Sequence, residues 1–233
     1  MTRVILFGAT GMIGQGVLRE CLLDQGIASV ITVGRRPIGK SDAKLNDVVL
    51  EDPAAIAKDT KLYSDLKQVD ACLYCLGISS VGMSEAEYTT VTKDMTLRVL
   101  DDVRAANPNM KFLFVSGNGS DAKSKAMWAR VKGETENEVL ARSPQPGSAL
   151  MFRPGLVEPV HGIRSQQSLL YRAAYACAPL LRGVGLPCTT TEAVGRAMVA
   201  AAKLPAGGGP LAGRTVLENE HINALAWGKP LPR

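Results

Sequence analysis

Residues 3–14 read Arg3-Val-Ile-Leu-Phe-Gly8-Ala-Thr-Gly11-Met-Ile-Gly14. An apolar run stops at three glycines spaced three apart, and Val17, Leu18, Cys21, Leu22 and Leu23 follow at helical spacing. Such an order reads as a buried strand that turns sharply into a helix. The first amides of that helix have no intrahelical partner and lie at the positive end of its dipole, which makes them a seat for a diphosphate. Glycine permits the tight turn and lets backbone approach phosphate closely. The stretch therefore points to a bound dinucleotide.

Outward from this turn, strand-like and helix-like segments alternate. Strands are expected at Val4 to Phe7, Ser29 to Val33, Asp47 to Leu50, Ala71 to Leu76, Phe112 to Val115 and Ala149 to Phe152, with a last short one at Thr215 to Leu217. Helices are expected at Met12 to Asp24, more weakly at Pro53 to Lys67, and from a capping box at Ser84-Glu-Ala-Glu87 to about Ala106. Further helices fall at Ser124 to Ala141, Leu169 to Leu181 and Glu192 to Ala202. This alternation predicts an α/β fold, a doubly wound parallel sheet of Rossmann type covered on both faces. Ligands of such sheets bind beyond the carboxyl ends of the strands. Gly8, Arg35, Asp52, Gly77, Ser116 and Arg153 all fall at those ends. The pattern loosens after residue 150, so residues 1–233 read as one domain in which 151–233 form a small substrate-facing lobe.

The 233 residues carry a net charge of +5 with no long Lys/Arg block, which favours anionic small molecules over nucleic acid. The most apolar candidate for a membrane span, Leu169 to Leu186, is interrupted by Arg172, Pro179 and Arg182, so no membrane partner is expected. The first strand starts within two residues of Met1, which leaves no room for a signal peptide and predicts a cytoplasmic location. Cys72 and Cys75 have the spacing of a redox or zinc pair, but residues three apart on a strand point to opposite faces, so they read as packed thiols. No cluster has catalytic zinc spacing, and no metal is expected.

The nature of the dinucleotide follows from the end of the second strand. About 20 residues past the glycine turn a carboxylate would hold the adenosine ribose of NAD. The chain has Thr32-Val33-Gly34-Arg35-Arg36-Pro37 there. A carboxylate would repel a 2′-phosphate, whereas a guanidinium binds it through charge-assisted hydrogen bonds, so NADP is expected over NAD. Asp52, after the third strand, is either an acceptor for the adenine amino group or a solvated loop carboxylate.

The glycine turn, the Arg pair, Cys75-Leu-Gly77, Ser116 and Lys132-Gly-Glu134 together resemble a short-chain dehydrogenase/reductase over roughly residues 1–200. The similarity is greatest to the atypical branch related to NAD-dependent epimerase/dehydratases and Tat-interacting oxidoreductase-like proteins. The resemblance implies a phosphate-binding turn at Gly8, Thr10, Gly11, Met12, Ile13 and Gly14. It implies ribose-phosphate contacts at Arg35 and Arg36, an adenine contact at Asp52, and a nicotinamide-ribose loop at Cys75, Leu76 and Gly77. It brings Arg153 and Pro154, of Arg153-Pro154-Gly155, toward the nicotinamide.

The family's Tyr-x-x-x-Lys, with a Ser about a dozen residues earlier, is matched by Trp128-Ala-Arg-Val-Lys132 and Ser116. The Lys at that place implies a cofactor-ribose role for Lys132. An indole is a donor only and does not titrate usefully, so Trp128 cannot replace the phenol as acid/base. Three outcomes stand open: a cofactor site without hydride chemistry, a proton supplied by another group such as water held by Lys132 or Ser116, or a substrate that needs no strong acid there. His161, downstream of Arg153, is a further candidate proton donor. The expected function is an NADP(H)-dependent oxidoreductase or epimerase-like enzyme on a small carbonyl or alcohol, with Ser116, Lys132 and His161 as catalytic candidates. Its alternative is a non-catalytic NADP(H)-binding redox sensor or scaffold.

Overall fold

The computed structural model describes residues 1–143, 145, 147–164 and 186–232. The apolar run at the amino terminus forms β1 (Thr2–Phe7), and the segment after the glycines forms α1 (Met12–Leu23). The chain continues through β2 (Ile27–Gly34), β3 (Leu45–Val49), α2 (Thr60–Asp65) and β4 (Ala71–Tyr74). Next come α3 (Glu85–Thr89), a π-helical segment at Thr90–Asp94, α4 (Met95–Ala106), β5 (Lys111–Val115), α5 (Met127–Ala141) and β6 (Ala149–Arg153). The described remainder holds β7 (Leu156–Glu158), β8 (Cys188–Thr190), α6 (Thr191–Lys203), β9 (Val216–Glu218) and α7 (Asn219–Ala226).

Seven strands pair in the order β3-β2-β1-β4-β5-β6-β9, every pairing parallel. β7 and β8 make a separate parallel pair. The fold is a doubly wound α/β sheet. Strand order reverses direction at β1, which lies between β2 and β4, and this is where such sheets open a crevice for ligands.

Alternation along β1 divides the core. Val4 and Leu6 pack on one face with Val17 and Leu18 of α1 and with Val194 and Met198 of α6. Ile5 and Phe7 pack on the other with Tyr74, Phe112 and Phe114 and with Val99 and Val103 of α4. The same alternation separates the two cysteines of β4 and its end: Cys72 belongs to the second core and Cys75 packs against the first, its Sγ 3.9 Å from Met198 Sδ. Burial pushes both thiols well above their ordinary pKa.

α1 and α6 meet backbone to backbone. A Cβ on Gly16 would lie 2.5 Å from the Thr191 carbonyl oxygen, and one on Gly195 would lie 2.8 Å from the Gly16 carbonyl oxygen. The C-terminal third is thus built into both layers: α6 covers α1, and β9 lengthens the main sheet beside β6.

Several elements differ from expectation. The weak helix at 53–67 breaks into short pieces because the Asp59 side chain accepts from Leu62 N–H at 2.9 Å and starts a new helix. The capping box at Ser84 forms with Glu87, but the long helix after it passes through the π segment before α4. α5 starts at Met127 rather than Ser124. β7, β8 and α7 were not expected. The helix predicted at Leu169 to Leu181 lies outside the described residues.

Candidate functional site

The β1–α1 turn is shaped by two absent side chains. Gly8 has φ +81°, and a Cβ there would sit 2.6 Å from the Cys75 carbonyl oxygen at the end of β4. A Cβ on Gly14 would sit 2.0 Å from the Gly8 carbonyl oxygen. The turn closes through Gly11 N–H donating to Gly8 O at 2.9 Å, and helical bonding starts with Gln15 N–H donating to Gly11 O at 2.8 Å. No side chain caps α1, and its first turn holds no acidic residue. The positive end of the helix dipole is therefore not neutralised from within, and the cradle suits an anionic group.

Two recesses flank the turn on the β2 side. One, of about 70 Å³, has Gly8, Arg35, Pro53 and Leu76 in its wall; the other, of about 330 Å³, has Thr10, Gln15, Arg36 and Lys40. Arg35 and Arg36 are both exposed, and neither has a hydrogen bond or ion pair among the described residues. Asp47 of β3 braces their loop. It accepts from Thr32 Oγ1 at 2.7 Å and from Ile38 N–H at 2.8 Å. Asp52 turns its carboxylate to Ala54 N–H at 3.0 Å and to Arg98 at 2.9 Å. The Ala54 amide first, and Arg98 next, hold that carboxyl below its ordinary pKa. Its neighbour Pro53, rather than Asp52 itself, lines the recess.

On the other side of the switch point lies a cavity of about 420 Å³. Gly11, Met12 and Ile13 bring the start of α1 to it, and Cys75, Leu76 and Gly77 bring the end of β4. Ser116 follows β5, Trp128 and Lys132 project from α5, and Pro154 follows β6. Sequence reasoning had not singled out Tyr88 of α3, which is 2% exposed and also lines this cavity. The available signal was its place one turn into a helix with a capping box, where the staple position faces inward.

Lys132 lies with Nζ 5.7 Å from the centre of the Phe114 ring and has no hydrogen-bond partner among the described residues. Desolvation pushes its pKa down to about 8, with the Glu136 carboxylate opposing the shift. Ser120 Oγ donates to Gly117 O at 2.8 Å, so in its 2.9 Å contact with Ser116 the Ser116 hydroxyl is the donor. Ser116 then offers acceptor lone pairs to the cavity. Trp128, 38% exposed, stands over Gly117 and Gly119, where an added Cβ would come within 3.8 and 3.7 Å of its ring.

Two expected residues are not brought to this cavity. Arg153 directs its guanidinium to Glu136 of α5, with Nε 2.9 Å from Oε1, and to Glu218 of β9 at 3.0 Å. Glu136 is 2% exposed, so this is a buried tie between helix and sheet; only the neighbouring Pro154 and Gly155 reach the cavity. His161 sits at φ +56° in an exposed turn and pairs through Nε2 with Glu192 at 2.8 Å. That turn carries the ring to the start of α6, and His161 does not line the cavity. Among the described residues no cluster could hold a metal ion, and no helix is long and apolar enough to cross a membrane.

A family model described as "NAD dependent epimerase/dehydratase family" matches residues 4–139, more than half of the chain. The chain is 27% identical over 161 residues to "Protein fmp52, mitochondrial" of Emericella nidulans, covering 67% of each protein. It is 26% identical over 177 residues to "Protein fmp52-1, mitochondrial" of Aspergillus terreus, covering 75% of this chain and 73% of the relative. Among solved structures it resembles MoeE5 in complex with UDP-glucose and NAD, with a TM-score of 0.66 at 18% identity, over 98% of this chain and 83% of that one. It also resembles the UDP-glucose-4-epimerase of Stenotrophomonas maltophila with bound NAD, with a TM-score of 0.66 at 17% identity, over 93% of this chain and 76% of that one. At such identities these structures speak for the fold. The relatives' names overturn the cytoplasmic location expected from the sequence: they are called mitochondrial proteins. That expectation rested on the spacing between Met1 and the first strand, which the fold does not translate into an address.

Proposed function

The chain belongs to the NAD dependent epimerase/dehydratase family, and from that premise we propose that it binds NADP(H) and acts as an oxidoreductase on a small carbonyl or alcohol compound. The observation that carries this reading is a coincidence of place. The uncapped start of α1, the Ser116 hydroxyl and the Lys132 ammonium all open on one cavity. The Cβ-free cradle at Gly8 and Gly14 fits a pyrophosphate, and Cys75, Leu76 and Gly77 border the place for the ribose beyond it. When bound, a nicotinamide coenzyme supplies or accepts a hydride.

The chain's own part is binding and proton handling. Trp128 offers an N–H that does not leave, so the proton at the substrate oxygen falls to Lys132, directly or through a water. Burial weakens the hold of Lys132 on its proton and so suits it to that exchange near neutral pH. Ser116 accepts from that water or from a substrate hydroxyl. Preference for NADP(H) is supported by two exposed guanidiniums beside the turn, with Lys40 next to Arg36, and by the lack of any carboxylate among the described residues lining the two recesses. The solved neighbours carry NAD; the preference for NADP(H) in this chain rests on its Arg pair.

The test is calorimetry on protein stripped of bound nucleotide, with NADPH and NADH, followed by nicotinamide absorbance against a panel of carbonyls. Tighter binding of NADPH and a substrate-dependent absorbance change are expected. No heat with either coenzyme overturns the reading, and tight binding without turnover on any substrate replaces the enzyme with a coenzyme-binding sensor.

A further inference from the structure

The walls of the 420 Å³ cavity differ in character from its phosphate-binding end. Met12, Ile13, Leu76, Val115, Leu156 and Val157 supply apolar surface, and Lys132 is the one charged side chain among the described lining residues. The apolar surface continues outward. Ile78, which lines the cavity, is 41% exposed, Trp128 is 38% exposed, and Val81 on the same loop as Ile78 is 74% exposed. Large apolar groups left open at the mouth of a pocket mark a surface that a ligand covers.

A nucleotide diphosphate would require free cations on this side; among the described residues the arginines of α5 and of the end of β6, Arg130 and Arg153, are committed elsewhere. Arg130, on α5 between Trp128 and Lys132, is held by Glu85 through Nε at 3.1 Å and Nη2 at 2.7 Å, and by Ser124 O at 2.8 Å. Arg153 is held by Glu136 and Glu218. Freeing Arg153 would strand Glu136, which is nearly fully buried.

We infer that the substrate is an uncharged, apolar carbonyl or alcohol compound, its reacting carbon near Lys132 and its tail laid between Ile78 and Trp128, and not a nucleotide sugar. This rests on the hydride-transfer reading above and names the substrate class for it.

The experiment uses the full chain saturated with NADPH, its occupancy first established by calorimetry. Straight-chain 2-alkanones of four to ten carbons and UDP-glucose are titrated in turn, with binding read by quenching of tryptophan fluorescence and by ligand-detected NMR. The dissociation constant should fall by about fourfold per added methylene until the tail passes the rim, the increment expected for moving one CH2 out of water, and UDP-glucose should not bind. In Ile78→Asp, a change at an exposed site, the longest ketone should weaken more than tenfold while NADPH affinity holds. Dissociation constants that ignore chain length, or UDP-glucose binding more tightly than the ketones, would overturn the substrate class and leave coenzyme binding standing. Absence of heat with NADPH removes the hydride-transfer reading and this inference with it.

Discussion

Reversing charge at Arg35 and Arg36 separates the two coenzymes. Both side chains are exposed and make no hydrogen bond or ion pair among the described residues, so replacing them removes nothing that holds the fold together. Unit charges about 4 Å apart attract by roughly 1 kcal/mol in water and about 4 kcal/mol at the effective dielectric of a protein surface. The exposure of these guanidiniums places them toward the lower end. The net contribution of a hydrogen bond to a charged group, which already includes that attraction, is about 1.5–3 kcal/mol. Arg35→Ala should therefore weaken NADPH by about 1.5 kcal/mol, or roughly tenfold. Arg35→Glu adds a repulsion of similar size, for a total loss of about a hundredfold. NADH, which lacks the 2′-phosphate, should change by less than about twofold. The difference should shrink as salt rises, because the screening length falls from about 8 Å at physiological ionic strength to about 3 Å at 1 M. Calorimetric titrations of both coenzymes at two salt concentrations measure each quantity. Equal weakening of NADPH and NADH, or NADPH affinity untouched in the double variant Arg35→Glu/Arg36→Glu, would refute the assignment of these arginines to the phosphate.

Carbonyl reduction should decline above about pH 8, where Lys132 loses its proton, and Lys132→Met should both slow the reaction and remove that limb of the pH–rate profile. The sign for stability is opposite: the folded-state pKa lies below the ordinary 10.5, so the burial penalty is present below pH 8 and is relieved as pH rises toward 10.5, and Lys132→Met should raise the melting temperature at pH 7. Glu136→Ala leaves the half-buried Arg153 guanidinium with Glu218 alone, and should cost about 3 kcal/mol, seen as a fall of roughly 6–12 °C in a thermal melt. His161→Ala should leave turnover and coenzyme affinity unchanged, since its ring pairs with Glu192 outside the cavity; a loss of turnover beyond tenfold would return it to the list of proton donors.

Legibility in the sequence followed the range of the forces involved. β1, α1 and the parallel sheet could be read because a long apolar run and three glycines speak through local geometry alone. Alternation placed Cys72 and Cys75 on opposite faces for the same reason. β7 and β8 escaped notice because three residues beside Pro and Gly carry no measurable period, and they exist only through pairing with each other. α7 escaped because its start is capped by Glu218 and His221, an unusual box in which His221 Nδ1 accepts from Glu218 N–H at 3.0 Å. The π segment falls within a sequence that reads as uninterrupted helix. At the site, the residues fixed by backbone position, Met12, Ile13, Leu76, Ser116 and Lys132, line the cavity, where the family resemblance implies them. Arg153 and His161 depended on where a long side chain turns, and carboxylates distant in sequence decided that: Glu136 and Glu218 for one, Glu192 for the other.

The meeting of Gly16 with Gly195 sets how this protein can be divided. The family model ends at residue 139, yet the helix that closes over α1 begins at Thr191. A fragment trimmed to the matched segment would lack that lid and lay bare the flank of the very helix whose tip is proposed to receive phosphate. The proposed coenzyme cradle and the C-terminal third therefore depend on one another structurally, and grafting the first half onto another partner would require a replacement helix with glycine at the same crossing.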